Sequence, residues 1–264
     1  MTAMPTTSVN TPLGRVSFTE TGQGPPLVIL HSLLTDSRSF DRVIPHLSGR
    51  IITLDLPGFG TTDPAPASID AFADMMAAAV LEICGDEVSP TVMGNGLGAF
   101  VALGMAVRHP ELLGRLVLVG CGAAIPEAGR PAFSTMIELV ESGGMAALTP
   151  VALRRIFTED YLEAHPEEAE ERAAVMATTD PKAFVAACRA LLGMDFTASA
   201  PGVPNSTLIV VGEDDRATRP EMAIRLNDLM PNATLVTLSG VAHAPQLQDP
   251  PGFVDAISQF LEGE

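Results

Sequence analysis

Short, continuously apolar runs rich in β-branched residues alternate along the chain with longer segments of helical period. The runs are Pro26 to His31, Ile51 to Leu56, Thr91 to Gly94, Leu116 to Val119, Thr207 to Val211 and Leu235 to Leu238. Because consecutive positions are apolar, they predict parallel strands covered on both faces by helices. Arg15 to Thr21 alternates instead and predicts an antiparallel edge strand. Helical period predicts helices around Ile69 to Ile83, Leu97 to Arg108, Pro220 to Leu229 and Gly252 to Leu261. Pro220 suits an opening position, where no amide hydrogen is needed. The pattern as a whole is that of an α/β fold with a mostly parallel sheet and short crossovers.

Between Cys121 and Pro201 the strand pattern lapses into helical segments, with breaks predicted at Gly143-Gly144, Thr149-Pro150 and Thr179-Asp180-Pro181. Met136, Leu139, Met145, Leu148, Phe157, Met176, Phe184 and Leu191 supply the apolar positions with which such helices would pack over a cleft. The expected organisation is a core in two parts, residues 1–124 and 201–264, with a helical cap over 125–200 between them. The acidic run Pro166 to Arg172 reads as a solvated helix face.

Composition narrows the function. With 47% apolar residues in a chain of 264, a substantial core is affordable in area. A net charge of -17, from 32 acidic and 15 basic side chains, opposes binding to nucleic acid and to anionic membranes. Cys84, Cys121 and Cys188 lack paired or metal-ligand spacing and read as buried thiols of a reducing compartment. The first residues lack a basic patch followed by an apolar core, and no run approaches ~20 uninterrupted apolar residues. A cytoplasmic location is the expectation. The five histidines, His31, His46, His109, His165 and His243, form no compact ligand motif with carboxylates, so no metal is expected.

The candidate chemistry lies where strands end. In TVMGNGLGAF, Thr91 to Phe100, a strand leads through a glycine-rich turn into a helix, the setting in which a small-x-nucleophile-x-small sequence exposes its middle side chain. Here the middle residue is Gly96. The dinucleotide spacing G-x-G-x-x-G fails at Ala99, and the strand is not the first of a βαβ pair, so a nucleotide site is not expected. Asp215 follows a strand in VVGEDDRAT, and His243 follows the last strand in LSGVAHAPQLQDP. Both are expected at the carboxyl edge of the sheet, where a carboxylate holding one imidazole nitrogen leaves the other free as a base. Asp215 fits the spacing after Gly212 better than Asp214 does.

With these elements in order the chain resembles the α/β-hydrolase superfamily, and within it the capped 3-oxoadipate enol-lactonases. The resemblance is carried by HSLLTDSRSF at His31 to Phe40, LDLPGFG at Leu54 to Gly60, GNGLGAF at Gly94 to Phe100 and TDPKAFVAACRALLGMDF at Thr179 to Phe196, with GEDD at Gly212 to Asp215 and AHAP at Ala242 to Pro245. It implies an α/β-hydrolase fold with a helical cap. It also implies an oxyanion hole from the amides of Leu33 and Leu97, orientation of His243 by Asp215, and a serine hydroxyl at the position that Gly96 holds.

Three functional expectations follow. In the leading one, the chain acts on a small oxoacid, lactone or related carbonyl compound without a covalent acyl-enzyme: His243 deprotonates a water in the space vacated at residue 96, or abstracts a substrate proton to drive an elimination, isomerisation or decarboxylation. A second is a serine hydrolase interrupted at Gly96, and a third is a noncatalytic binding protein. Ser32 lies in the loop beside the expected oxyanion hole and is a candidate substrate contact, as are Arg154, Arg155 and Arg189, which would attract a substrate carboxylate. No residue occupies the elbow position in place of the missing hydroxyl: Ser32 and Ser37 read as loop capping, Asn95 as turn hydrogen bonding, and Cys121, which ends the following strand, as core packing. No organic cofactor is called for.

Overall fold

A computed structural model describes residues 5–85 and 89–263. The strands are β1 (Thr7–Thr11), β2 (Gly14–Gly22), β3 (Pro26–Leu30), β4 (Arg50–Leu54), β5 (Thr91–Asn95), β6 (Arg115–Val119), β7 (Ser206–Gly212) and β8 (Ala233–Leu238). They form one sheet in the order β1-β2-β4-β3-β5-β6-β7-β8. β1 and β2 pair antiparallel, β2 joins β4 antiparallel, and every pairing from β4 through to β8 is parallel. The segment expected to be the edge strand is therefore second from the edge. Thr7 to Thr11 forms a hairpin with it and takes the outer position, on a polar sequence without the apolar signal of a buried strand.

The continuous apolar runs are explained by two cores, one on each face. Along β3, Val28 and Leu30 enter one apolar cluster while Leu27 and Ile29 enter the other. β6 divides in the same way, Leu116 and Leu118 against Val117 and Val119, as successive side chains point to opposite faces. The first cluster is covered by α1 (Ile69–Cys84) and α2 (Leu97–Arg108), which pack on each other, and the second by α9 (Pro250–Glu262). Fully buried Phe72 and Phe100 anchor the first, each contributing roughly 1.5–3 kcal/mol relative to exposure.

The cap runs through α3 (Arg130–Ile156), α4 (Glu159–Ala164), α5 (Pro166–Ala177) and α6 (Pro181–Gly193). Gly144, at φ 69°, kinks α3 where a break was expected, and Asp180 caps α6 by accepting from the amides of Lys182 and Ala183. No break occurs at Thr149-Pro150, where the helix continues through the proline. By length and composition the segment Glu127–Ile156 is apolar enough to cross a membrane, but it is kinked at Gly144 and packs against α5 and α6. Of the apolar cap positions, Met136, Met145, Leu148, Phe157, Met176, Phe184 and Leu191 are buried and Leu139 is half-buried. The acidic run on α5 is solvated apart from Glu168 and Ala169, which are half-buried, Glu168 bonded to Arg42 and Tyr161, and Arg172, which is buried between Glu171 and Asp36. The chain then returns through β7, α7 (Pro220–Leu229), β8 and α8 (Pro245–Gln248) to α9.

Candidate active site

Four strand ends converge at the carboxyl edge of the sheet. Ser32 and Leu33 follow β3, Gly96 joins β5 to α2, Asp215 follows β7 and His243 follows β8. Gly96 has φ 52° and ψ -116°, a region that costs a side-chain-bearing residue about 1–2 kcal/mol. Its amide donates to the Val119 carbonyl at 2.9 Å, and its own carbonyl accepts from Ala99 and Phe100 at the start of α2. The turn is thus tied to the neighbouring strand and to the helix it opens.

His243 and Asp215 are both buried, and Nδ1 of His243 lies 2.8 Å from Oδ2 of Asp215. The carboxylate also accepts from the amides of Ala217 and Thr218 through Oδ1, at 2.7 and 2.9 Å, and from the Thr218 hydroxyl through Oδ2 at 2.8 Å. With three donors already on the carboxylate, the tautomer that satisfies it carries its hydrogen on Nδ1 and leaves Nε2 as the acceptor. Nε2 faces the Ser32 hydroxyl at 3.3 Å. The backbone of His243 is fixed as well: its amide donates to the Ile156 carbonyl of the cap at 3.1 Å, and its carbonyl accepts from Asn95 Nδ2 at 2.9 Å. Gln246 Nε2 in turn donates to Asn95 Oδ1 at 3.0 Å.

Gly120 closes the floor beneath the ring. At φ 59°, a Cβ there would stand 2.9 Å from Nδ1 of His243. Thr218, Gln246 and Gly120 were not anticipated from sequence as parts of this arrangement, and Asn95, read as a hydrogen-bonding residue of the turn, proves to hold the His243 backbone. Thr218 carried a local signal, lying three residues after Asp215 where its amide and hydroxyl reach the carboxylate. Asn95 at the end of β5 and Gly120 after β6 meet His243 through the packing of strand ends, and Gln246 of α8 reaches Asn95.

Ser32, Leu33, Gly96, Leu97 and His243 line a common cavity of about 30 Å³ with Phe133, Met136, Arg155 and Leu191 of the cap. Such a space holds a water or a reacting carbonyl group, not a whole organic substrate. The Leu97 amide opens α2 with no acceptor in a preceding turn, and among the described residues the Leu33 amide has no protein acceptor. The gap expected at residue 96 itself is taken up differently. A Cβ built on Gly96 would stand 2.7 Å from Nε2 of His243 and collide with Oγ of Ser32, so the imidazole and that hydroxyl share the place of a side chain.

Of the three candidate arginines the structure brings only Arg155 to the cavity. It is half-buried, its guanidinium lies 5.9 Å from the centre of the Phe133 ring, and its buried Nε has no hydrogen-bond partner among the described residues. Burial pushes its pKa down, partly opposed by the charge of Asp215. Arg154 is exposed, since adjacent residues of a helix diverge by about 100°. Arg189 is exposed on α6 and pairs with Glu141 at 3.3 Å. A chamber of about 390 Å³ adjoins the small cavity, sharing Ile125, Phe133, Arg155 and Ala217 with it, and Arg216, Arg219 and Arg225 stand around it. Cys121 is fully buried, and desolvation raises its thiol far above the ordinary range, which keeps it protonated and unreactive. Among the described residues, no group of three or more His, Cys, Asp or Glu side chains is placed to hold a metal ion.

A model of the alpha/beta hydrolase family matches residues 27–256. The chain belongs to that family. As an alpha/beta hydrolase it is 30% identical over 94% of its length to the polyketide synthase ThaQ of Burkholderia thailandensis, of which it spans only 12%. It is 29% identical to a putative carbamate hydrolase RutD of Agrobacterium fabrum, over 89% of this chain and 93% of that protein. The fold superposes on the enol-lactonase of Burkholderia xenovorans LB400 with a TM-score of 0.89 at 22% identity, covering 97% of this chain and all of that one. Family membership and the buried His243-Asp215 pair support a hydrolase-like enzyme.

Proposed function

We propose that the protein hydrolyses, or otherwise transforms by proton transfer, a small carboxylated lactone, ester or oxoacid. His243 is the acid-base group, Asp215 orients it, and residue 96 contributes backbone alone. The observation that carries this reading is the buried 2.8 Å contact of Nδ1 with Asp215, which leaves Nε2 as an acceptor at the cavity edge. As an oxygen attacks the substrate carbonyl, its proton passes to Nε2. The carbonyl oxygen gains charge opposite the unengaged amides of Leu33 and Leu97, and the leaving oxygen recovers the proton from the imidazolium.

The two cavities divide the substrate. The reacting carbonyl enters the small one, and the remainder lies in the adjoining chamber, where Arg155 receives a carboxylate. The interrupted-serine reading is weaker, because a side chain at residue 96 would displace both His243 and Ser32. Three free cysteines support a reducing, cytoplasmic setting.

The test is His243→Ala assayed by product formation across carboxylated lactones, esters and diketones. Turnover should fall by at least about 10³-fold while the fold, followed by circular dichroism, is kept. Undiminished turnover would remove His243 from the mechanism.

A further inference from the structure

We propose that Ser32 is the nucleophile of this site, standing beside the place where the residue at the β5–α2 turn would present its own hydroxyl. The inference rests on His243 being the base, as proposed above, and names the oxygen that the base deprotonates.

Three observations carry it. First, Nε2 of a neutral imidazole has a single lone pair, and the group facing it is Oγ of Ser32 at 3.3 Å, both side chains being buried. Hydrogen bonds of this kind are often long before substrate is bound. Second, the Ser32 hydroxyl stands so close to the Cβ position of residue 96 that the two would collide, which sets it beside the same imidazole that a side chain at residue 96 would meet. Third, the loop is braced to hold it. The Ser32 amide donates to Thr35 Oγ1 at 3.2 Å, and its carbonyl accepts from the Thr35 amide at 3.3 Å. That carbonyl also accepts from His31 Nδ1 at 2.9 Å, because His31 Nε2 is committed as acceptor to the Leu56 amide at 3.1 Å.

The chain relation between nucleophile and oxyanion donor is also preserved. The Leu97 amide follows residue 96, and the Leu33 amide follows Ser32 in the same way. Ser32, Leu33, Gly96 and Leu97 all line the cavity, so an acyl group on the Ser32 hydroxyl would share it with both amides.

In the first half of the reaction the Ser32 Oγ–H proton moves to His243 Nε2 as Oγ forms a bond to the substrate carbonyl carbon, and the carbonyl π pair moves onto oxygen. Collapse of that intermediate breaks the bond to the leaving oxygen, which takes the proton from His243. In the second half a water gives its proton to His243 and attacks the Ser32 ester. Oγ then leaves and recovers the proton, so the sum is substrate plus one water.

The probe is p-nitrophenyl acetate, with acid-quenched samples of the full chain examined by intact mass and peptide mapping. One acetyl group is expected on the Ser32 peptide. It should be lost in Ser32→Ala and in His243→Ala and kept in Ser37→Ala, and Ser32→Ala should lower turnover by on the order of 10³-fold. In Ser32→Cys the introduced thiol should be alkylated by iodoacetamide faster than any cysteine of the parent chain. Acetylation mapped elsewhere, no acetylation at all, or turnover by folded Ser32→Ala within about threefold of the parent overturns the proposal. Turnover abolished by His243→Ala but kept by Ser32→Ala would leave His243 as the base and assign the attack to water. Turnover kept by His243→Ala would instead overturn the underlying reading.

Discussion

The amide of His243 donates to the carbonyl of Ile156 at 3.1 Å, joining the loop that carries the imidazole to the last turn of the long cap helix. Ile156 follows Arg155, so the cap element that contacts the cavity also holds the backbone of the base. The linkage is reinforced by Gln248. Its Oε1 accepts from the Ala242 and Thr158 amides at 3.1 and 3.4 Å, and its Nε2 donates to the Gly240 carbonyl and to Thr158 Oγ1 at 2.8 and 3.1 Å. Gln248→Ala should therefore cost roughly 1–3 kcal/mol in denaturant unfolding. It should also speed hydrogen exchange at the His243 and Ala244 amides by more than the global loss of stability speeds it in α1.

Arg155 brings to the chamber side of the cavity a buried Nε that has no partner among the described residues. Arg155→Gln should weaken a carboxylated ligand by about 10- to 100-fold and leave its neutral ester analogue within a factor of two or so. Titration calorimetry on the matched pair reads the difference directly, and equal losses for both ligands would take the arginine out of charge recognition.

The shared space around Gly96 predicts a coupling. Gly96→Ser must move the imidazole or the Ser32 side chain and should lower stability by roughly 1–3 kcal/mol. In a Ser32→Ala background the same change should cost less by at least about 0.5 kcal/mol, because one of the two obstructing atoms is gone. Urea midpoints of the four proteins close this cycle, and additive costs would mean that the two side chains do not compete.

Acid should expose a separate contribution at Asp74. Arg108 donates to both of its oxygens, at 2.6 and 2.7 Å, and with His109 close by this holds the carboxyl below its usual pKa. A depressed folded pKa stabilises the protein above the unfolded value of ~3.9, and that stabilisation disappears as pH falls through the folded value. The pair is partly exposed, so Asp74→Asn should cost only about 0.5–1 kcal/mol at neutral pH. The gap between parent and variant should shrink as unfolding is measured at progressively lower pH.

Much of this was legible along the chain. Doubly covered parallel strands require apolar residues on both faces, so β3, β5, β6 and β7 announced themselves by uninterrupted runs. Leu97 to Arg108 and Pro220 to Leu229 matched their helices at both ends, each bounded by a glycine-rich turn or an opening proline. The hairpin strand Thr7–Thr11 did not, because an exposed edge carries no apolar burden and its pairing is set by the backbone of β2. Arg154, Arg155 and Arg189 were equivalent as sequence. Only the rotation of α3 and the outward face of α6 separated the one that reaches the cavity from the two that meet solvent or Glu141.

The sequence by itself determined the α/β layering, the order of the strand-end loops and the residues His243, Asp215 and Gly96, because hydrophobic period and turn chemistry are local properties. Tertiary structure alone decided what occupies the place beside Gly96. Ser32 and His243 stand 211 positions apart, and no local rule relates a hydroxyl after β3 to an imidazole after β8. They meet because a parallel sheet delivers its carboxyl ends to one edge, and because a glycine at that edge leaves room for both.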